Sequence, residues 1–146
     1  MITSSFYKGA HGVMLAYDTT CPETFEPLKA WDADVDRYHG NPSMLSKMVV
    51  GTKIDLKDQR AVTEEEGKAV AQALGKDVLF AETTVFDRDT VLAAFQKLLE
   101  AAYAKYKAAE EERNKAAAGN AGEAGDVVRV KNGKKGKKKS SRGCLV

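Results

Sequence analysis

Met48-Val49-Val50-Gly51-Thr52-Lys53-Ile54-Asp55-Leu56 decides the fold: a short apolar run ends at a glycine and passes directly into Thr-Lys-Ile-Asp. A run that is apolar on both faces fits a strand in the middle of a parallel sheet, with helices covering each side. The same theme precedes and follows it. Val13-Met14-Leu15-Ala16-Tyr17-Asp18 is a second apolar run, closed by a carboxylate, and Val78-Leu79-Phe80-Ala81 is a third.

Helical patterns fill the intervals. Thr20-Cys21-Pro22-Glu23 has the form of a capping box, in which a threonine hydroxyl accepts from a first-turn amide and a glutamate reaches back. Pro22 is tolerated in that first turn. Phe25, Leu28, Trp31, Val35 and Tyr38 follow at helical spacing. Thr63-Glu64-Glu65-Glu66 is a second box, leading through Val70, Ala73 and Leu74 to a stop at Gly75. Val91, Leu92, Phe95, Leu98, Leu99, Ala102, Tyr103 and Tyr106 trace one apolar stripe with a period of about 3.6. This last helix is predicted to run on as a polar extension to Ala118, where Gly119, Gly122 and Gly125 end it.

Strand and helix alternate three times, which predicts an α/β fold of three parallel strands joined by right-handed crossovers. The expected organisation is one folded unit over 1–118 and a flexible basic tail over 119–146. Three parallel strands make a marginal sheet, because parallel strands need both faces and preferably both edges covered.

The composition agrees. With 146 residues, 43% of them hydrophobic and 30% charged, the chain has the make-up of one soluble globular domain. No stretch approaches the roughly 18 to 20 apolar residues of a membrane-spanning helix. Met1-Ile2-Thr3-Ser4-Ser5 has neither the basic start nor the apolar centre of a signal peptide. Two cysteines, Cys21 and Cys144, suggest no disulfide framework and point to a reducing, cytoplasmic setting. The net charge of +2 conceals an asymmetry: residues 129–146 hold eight Lys or Arg and no acid. The remaining 1–128 hold 15 basic against 21 acidic residues, a balance of −6.

In open α/β sheets ligands sit beyond the carboxyl ends of the strands. Two clusters fall there: Gly51-Thr52-Lys53-Ile54-Asp55-Leu56 and Glu82-Thr83-Thr84-Val85-Phe86. An ionised Asp55 accepts only, and takes two hydrogen bonds side by side. A ring edge with two adjacent N–H donors would match it, whereas an edge with an acceptor in place of one donor would not. A buried mismatch of that kind discriminates by factors of order 10⁴. Lys53 has a methylene stem able to lie along a base face. His11 and His39 show no metal-ligand spacing, and no Ser/His/Asp or Cys/His set can be assembled.

Gly51-Thr52-Lys53-Ile54-Asp55-Leu56 resembles the Asn-Lys-x-Asp guanine-specificity motif of Ras-superfamily GTPases, in the Thr-Lys-x-Asp form that Rho-type members use. Thr84-Val85-Phe86 stands where that superfamily has Ser-Ala-Lys. Ile2-Thr3-Ser4-Ser5-Phe6-Tyr7-Lys8-Gly9-Ala10-His11-Gly12 resembles the Rab stretch that follows the switch II helix, and Val13 to Asp18 with Thr24-Phe25 and Trp31 is similarly Rab-like. The likeness runs from Thr3 to Tyr106, with a tail similar to a Rab hypervariable region.

The resemblance implies a partial Ras-like P-loop GTPase fold, the C-terminal two-thirds of the domain, serving vesicle and membrane traffic. It implies GTP or GDP as ligand, with the Val85 amide meeting the guanine carbonyl and the Thr84 hydroxyl orienting Asp55. Thr52 replaces the usual Asn and Phe86 the usual Lys, and the Phe86 ring offers a stacking surface instead.

No Gly-x4-Gly-Lys-[Ser/Thr] occurs in the 146 residues, and no Asp-x-x-Gly. The backbone cradle for phosphate, the magnesium ligands and the catalytic Gln of the family therefore have no counterparts in these residues. The chain by itself is expected not to hydrolyse GTP. The resemblance also implies that the Val13 strand and the last helix normally pack on the P-loop strand, so poor solubility or partial unfolding is expected.

Lys134 to Lys139 with Arg142 and Cys144 join a basic cluster to a near-terminal thiol, the combination that anchors a protein on an anionic membrane once the thiol is lipidated. Cys144 is third from the end, not fourth as the C-a-a-X rule requires, and Rab-type prenylation is less strict on that point. The partners implied are guanine nucleotide, Rab regulators and effectors, and the cytosolic face of endomembranes. The tail lacks interleaved aromatics and the body is acidic, which argues against nucleic acid. A second reading keeps the same ancestry but makes the chain a non-hydrolysing binding module that competes for Rab partners.

Overall fold

The computed structural model describes residues 7–120, so the basic tail and Cys144 lie outside the described residues. Its elements in chain order are β1 (Gly12–Asp18), α1 (Pro22–Phe25), α2 (Leu28–His39), β2 (Ser46–Thr52), α3 (Glu64–Leu74), β3 (Leu79–Glu82) and α4 (Arg88–Asn120), with 3-10 turns at Pro42–Met44 and Lys57–Gln59. The sheet has the order β1-β2-β3 and is parallel throughout. Gly12 lies level with Ser46 and Asp18 with Thr52; Met48 lies level with Leu79 and Gly51 with Glu82. Three parallel strands alternating with helices is a partial Ras-like architecture.

Alternation along the strands divides the core into two layers. Leu15, Tyr17 and Val49 are buried with Leu28 and Val35 of α2 and Ala71 of α3, and Val13 and Phe80 pack on them. Met48 and Val50 turn the other way, against Ala94 and Leu98 of α4. Met48, Val49 and Leu28 are fully buried, and each such side chain contributes roughly 1.5–3 kcal/mol. β2 is covered from Ser46 through Gly51, as its continuous apolar run requires.

The second capping box forms as written. The Thr63 hydroxyl accepts from the Glu66 amide at 3.2 Å, while the Glu66 carboxylate accepts from the Thr63 amide at 2.8 Å. The first does not form. Cys21, not Thr20, is the N-cap of α1 and makes no side-chain cap bond. The Thr20 hydroxyl donates instead to Asp18 at 2.7 Å, because a strand-end carboxylate two residues back outcompetes a helix amide for it. The helix expected from Phe25 to Tyr38 is likewise two elements, α1 and α2, separated at Glu26 and Pro27, because proline has no amide to continue the ladder. The α2 helix closes at Gly40, whose φ of 81° is the left-handed conformation that glycine adopts freely.

The apolar stripe of α4 is only partly used. Ala94, Leu98 and Ala102 are buried, whereas Leu92, Phe95, Leu99 and Tyr103 are 49 to 69% exposed. The helix also runs two residues past Ala118, through Gly119 to Asn120.

Gly67 in α3 is a point of close approach. A Cβ there would overlap the Tyr17 hydroxyl and come within 2.6 Å of the Phe80 ring. Gly67→Ala is therefore expected to destabilise the fold by about 1–3 kcal/mol despite alanine's better helix propensity. A lower urea midpoint followed by circular dichroism is the expected result; an unchanged midpoint would mean that the two rings yield without cost.

Candidate functional site

The carboxyl ends of β2 and β3 converge on one cavity of about 390 Å³, within the usual range of small-molecule sites. It is lined by Thr52, Lys53, Asp55 and Leu56 from the loop after β2, and by Thr83, Thr84, Val85 and Phe86 from the loop after β3, with Val91 of α4 behind them. All six residues singled out from the sequence, Thr52, Lys53, Asp55, Thr84, Val85 and Phe86, lie on this wall.

The two loops are tied together by their own backbones. The Thr83 amide donates to the Gly51 carbonyl at 2.8 Å and the Ile54 amide to the Thr83 carbonyl at 3.4 Å. Between them Lys53 adopts a φ of 63°, the left-handed conformation that a lysine takes only when its surroundings impose it. The turn it makes carries Asp55 toward the second loop. There the Thr84 hydroxyl donates to the Asp55 carboxylate at 2.5 Å and accepts from the Phe86 amide at 3.3 Å. Thr84 is itself held by its amide, which donates to the Thr90 hydroxyl at 3.2 Å. One oxygen of Asp55 is thereby oriented by a buried threonine. Val85 and Phe86 are 87% and 83% exposed, an apolar rim on the far side of the cavity.

Two contributions were not read from the sequence. The first is Asp18. Its carboxylate meets the Lys53 ammonium at 2.5 Å and accepts from the Thr20 amide at 2.8 Å. The ammonium, followed by the Thr20 bonds, holds the Asp18 carboxyl down at about 2, and Asp18 in turn raises Lys53. The signal was present: Asp18 closes an apolar strand, and parallel register puts it beside Thr52. The second is the bidentate pair between Arg60 and Glu82, at 2.7 and 2.8 Å, which joins the segment after the Lys53 loop to the end of β3. Arg60 stands raised, first by its bond to Glu82.

The site suits a flat, polar-edged ring. It offers an acceptor carboxylate at its floor, a lysine stem at one side and apolar surface at the rim. Among the described residues no group of three or more His, Cys, Asp or Glu is placed to hold a metal ion.

The family model described as Ras family matches residues 1–104. This chain belongs to that family, and within its superfamily to the Rab-type small GTPases. It is 41% identical over 97 residues to the Ras-related protein RIC1 of Oryza sativa subsp. japonica, covering 66% of this chain and 46% of that one. It is 40% identical over 97 residues to the Ras-related protein RABD2a of Arabidopsis thaliana, with the same coverage. The GTP-binding protein YPT1 of Saccharomyces cerevisiae is 42% identical over 94 residues, 64% of this chain and 44% of that one. The chain therefore spans less than half the length of these relatives.

The Asp18–Lys53 pair makes a pH-dependent contribution. Asp18 titrates lower in the fold, at about 2 against an ordinary 3.8, so its share of stability is complete above the ordinary value and is lost as pH falls through about 2. Asp18→Asn should keep the Thr20 bonds and remove that dependence. Thermal melts of both proteins across this acid range are expected to converge as the pH drops; parallel curves would show that the pair adds nothing.

Proposed function

We propose that the chain acts as a Rab-like regulator of vesicle and membrane traffic whose described part recognises the guanine base. Asp55 accepts from the two adjacent guanine donors, oriented by Thr84. The Lys53 stem covers one face of the ring, the Phe86 side chain stacks from the rim, and the Val85 amide meets the guanine carbonyl. Thr52 holds the loop through its hydroxyl, which donates to the Tyr17 carbonyl at 2.8 Å. The single observation that carries this reading is the Thr84–Asp55 bond at the floor of a cavity walled by Lys53 and Phe86. GTP and GDP are the ligands by family, and the 146 residues supply the base-reading contacts without a phosphate cradle. The basic segment 129–146 with Cys144 is proposed to hold the protein on the cytosolic face of endomembranes, with lipid on that thiol. Rab regulators and effectors are the proposed protein partners.

A second reading makes the chain a non-hydrolysing module that competes for those partners.

Titration of the purified chain with a fluorescent guanine nucleotide tests base recognition. Binding no tighter than the micromolar range is expected, with guanine preferred over adenine and Asp55→Ala removing that preference by at least about tenfold. Equal affinity for adenine and guanine nucleotides would overturn the assignment of Asp55. Tight magnesium-dependent binding, or GTP hydrolysis at rates typical of the family, would overturn the division between base and phosphate.

A further inference from the structure

The loop after β3 that carries Thr84 is a tight turn stapled to the start of α4. The Asp87 amide donates to the Thr84 carbonyl at 3.3 Å, which leaves Val85 and Phe86 at the tip of the turn. The Asp87 carboxylate then accepts from the Asp89 amide at 3.0 Å, and α4 begins. Thr90 sits in that first helical turn, half-buried and outside the wall of the cavity. Its hydroxyl donates to the Asp87 carbonyl at 2.7 Å, a local bond that helical threonines readily make. The same oxygen accepts from the Thr84 amide at 3.2 Å, six residues back and outside the helix. That second bond serves no need of the helix.

Its effect follows from the proton count. A threonine hydroxyl has one proton to give and lone pairs to accept with. Thr84 gives its proton to the Asp55 carboxylate at 2.5 Å and accepts from the Phe86 amide at 3.3 Å. Those bonds engage the Thr84 side chain, whose aim depends on where its backbone is held. The backbone amide is held by Thr90. Thr84 is only 8% exposed, so without the Thr90 hydroxyl that amide is stranded away from water. The turn must then shift to find another acceptor, and the Thr84 hydroxyl shifts with it.

We propose that Thr90 is a specificity-determining positioning residue: through the Thr84 amide it sets the angle at which Asp55 meets the two adjacent donors of guanine. This role rests on the base recognition proposed above for Asp55. Two donors side by side are both met only when the carboxylate lies near the plane of the ring. A rotated Asp55 keeps one bond and loses the other. Hypoxanthine lacks the exocyclic amine and offers one donor at this edge where guanine offers two. Loss of Thr90 therefore penalises guanine and spares hypoxanthine.

Titration of the full 146-residue chain with ribose-labelled fluorescent guanosine and inosine diphosphates tests this. Wild type should prefer guanosine by at least about tenfold, the effect of one further bond to a charged acceptor. Thr90→Val keeps the shape without the hydroxyl. It should cut that preference at least about threefold through weaker guanosine binding, with inosine affinity unchanged. Thr90→Ser should restore the preference. In a Thr84→Ala background Thr90→Val should lower it no further, because the route runs through Thr84. Thr90→Ala, which adds no bulk, gives the same readings where the valine is not tolerated. Amide exchange in the ligand-free chain reads the tie by itself: Thr84 should lose protection in Thr90→Val and keep it in Thr90→Ser. A Thr90→Val protein with the wild-type preference overturns the proposal. Equal loss of affinity for both nucleotides also overturns it, since that marks a merely structural residue, and so does Thr84 protection that the valine leaves unchanged. A wild type without preference, in which Thr84 protection still depends on Thr90, overturns the base reading of Asp55 and with it this role, although the tie itself stands.

Discussion

Thr19 is fully buried, and its backbone and hydroxyl join the segments that the site is built from. Its amide and hydroxyl both donate to the Thr52 carbonyl, at 3.1 and 2.9 Å, and its own carbonyl accepts from the Ala61 and Val62 amides at 2.9 Å. The end of β1, the loop after β2 and the approach to α3 are therefore fixed relative to one another by a single residue. Any of these groups left unmatched in the interior would cost about 1–3 kcal/mol, so the three segments move together or not at all. The left-handed turn at Lys53 is held within this frame, with Thr52 tied on one side and the Thr83 loop on the other.

Charge reinforces the same frame at two depths. Lys47, about 10% exposed at its side chain, bridges Asp32 and Asp36 of α2 at 2.7 and 2.6 Å. Burial disfavours the ammonium, but the two carboxylates outweigh it and the group stands raised. A buried pair of this kind adds little net energy against an apolar substitute, yet removal of one partner leaves a stranded charge. It therefore fixes how α2 is placed on β2. Near the site, the Arg60–Glu82 fork links the carboxyl end of β3 to the entrance of α3. Tyr17, pushed up to about 12 chiefly by burial, fills the space between them against Gly51 and Gly67.

Much of this was legible in the chain. The three apolar runs appear as β1, β2 and β3, displaced by one or two residues, because continuous apolar character reports two-sided burial directly. Thr63 to Glu66 capped as their spacing implied. Thr20 did not, because local spacing does not reveal a competing acceptor, and Asp18 was nearer. The residues of the two strand-end loops could be named for the cavity because topology brings strand ends together. The ties that shape it were harder to see. Asp18 to Lys53 and Arg60 to Glu82 span 35 and 22 positions, and only the register of the sheet makes them neighbours. The α4 periodicity signalled an apolar face without indicating how much of it these residues would cover.

The length of α4 has a mechanical consequence. Thirty-three residues at a rise of about 1.5 Å span roughly 50 Å, more than twice the reach of a seven-residue strand. The helix starts at the loop that closes the cavity and runs back along the sheet and past it, since Lys105 already donates to the Leu45 carbonyl just before β2 begins. Its last described turns therefore lie tens of ångströms from the cavity, at the far end of a stiff rod.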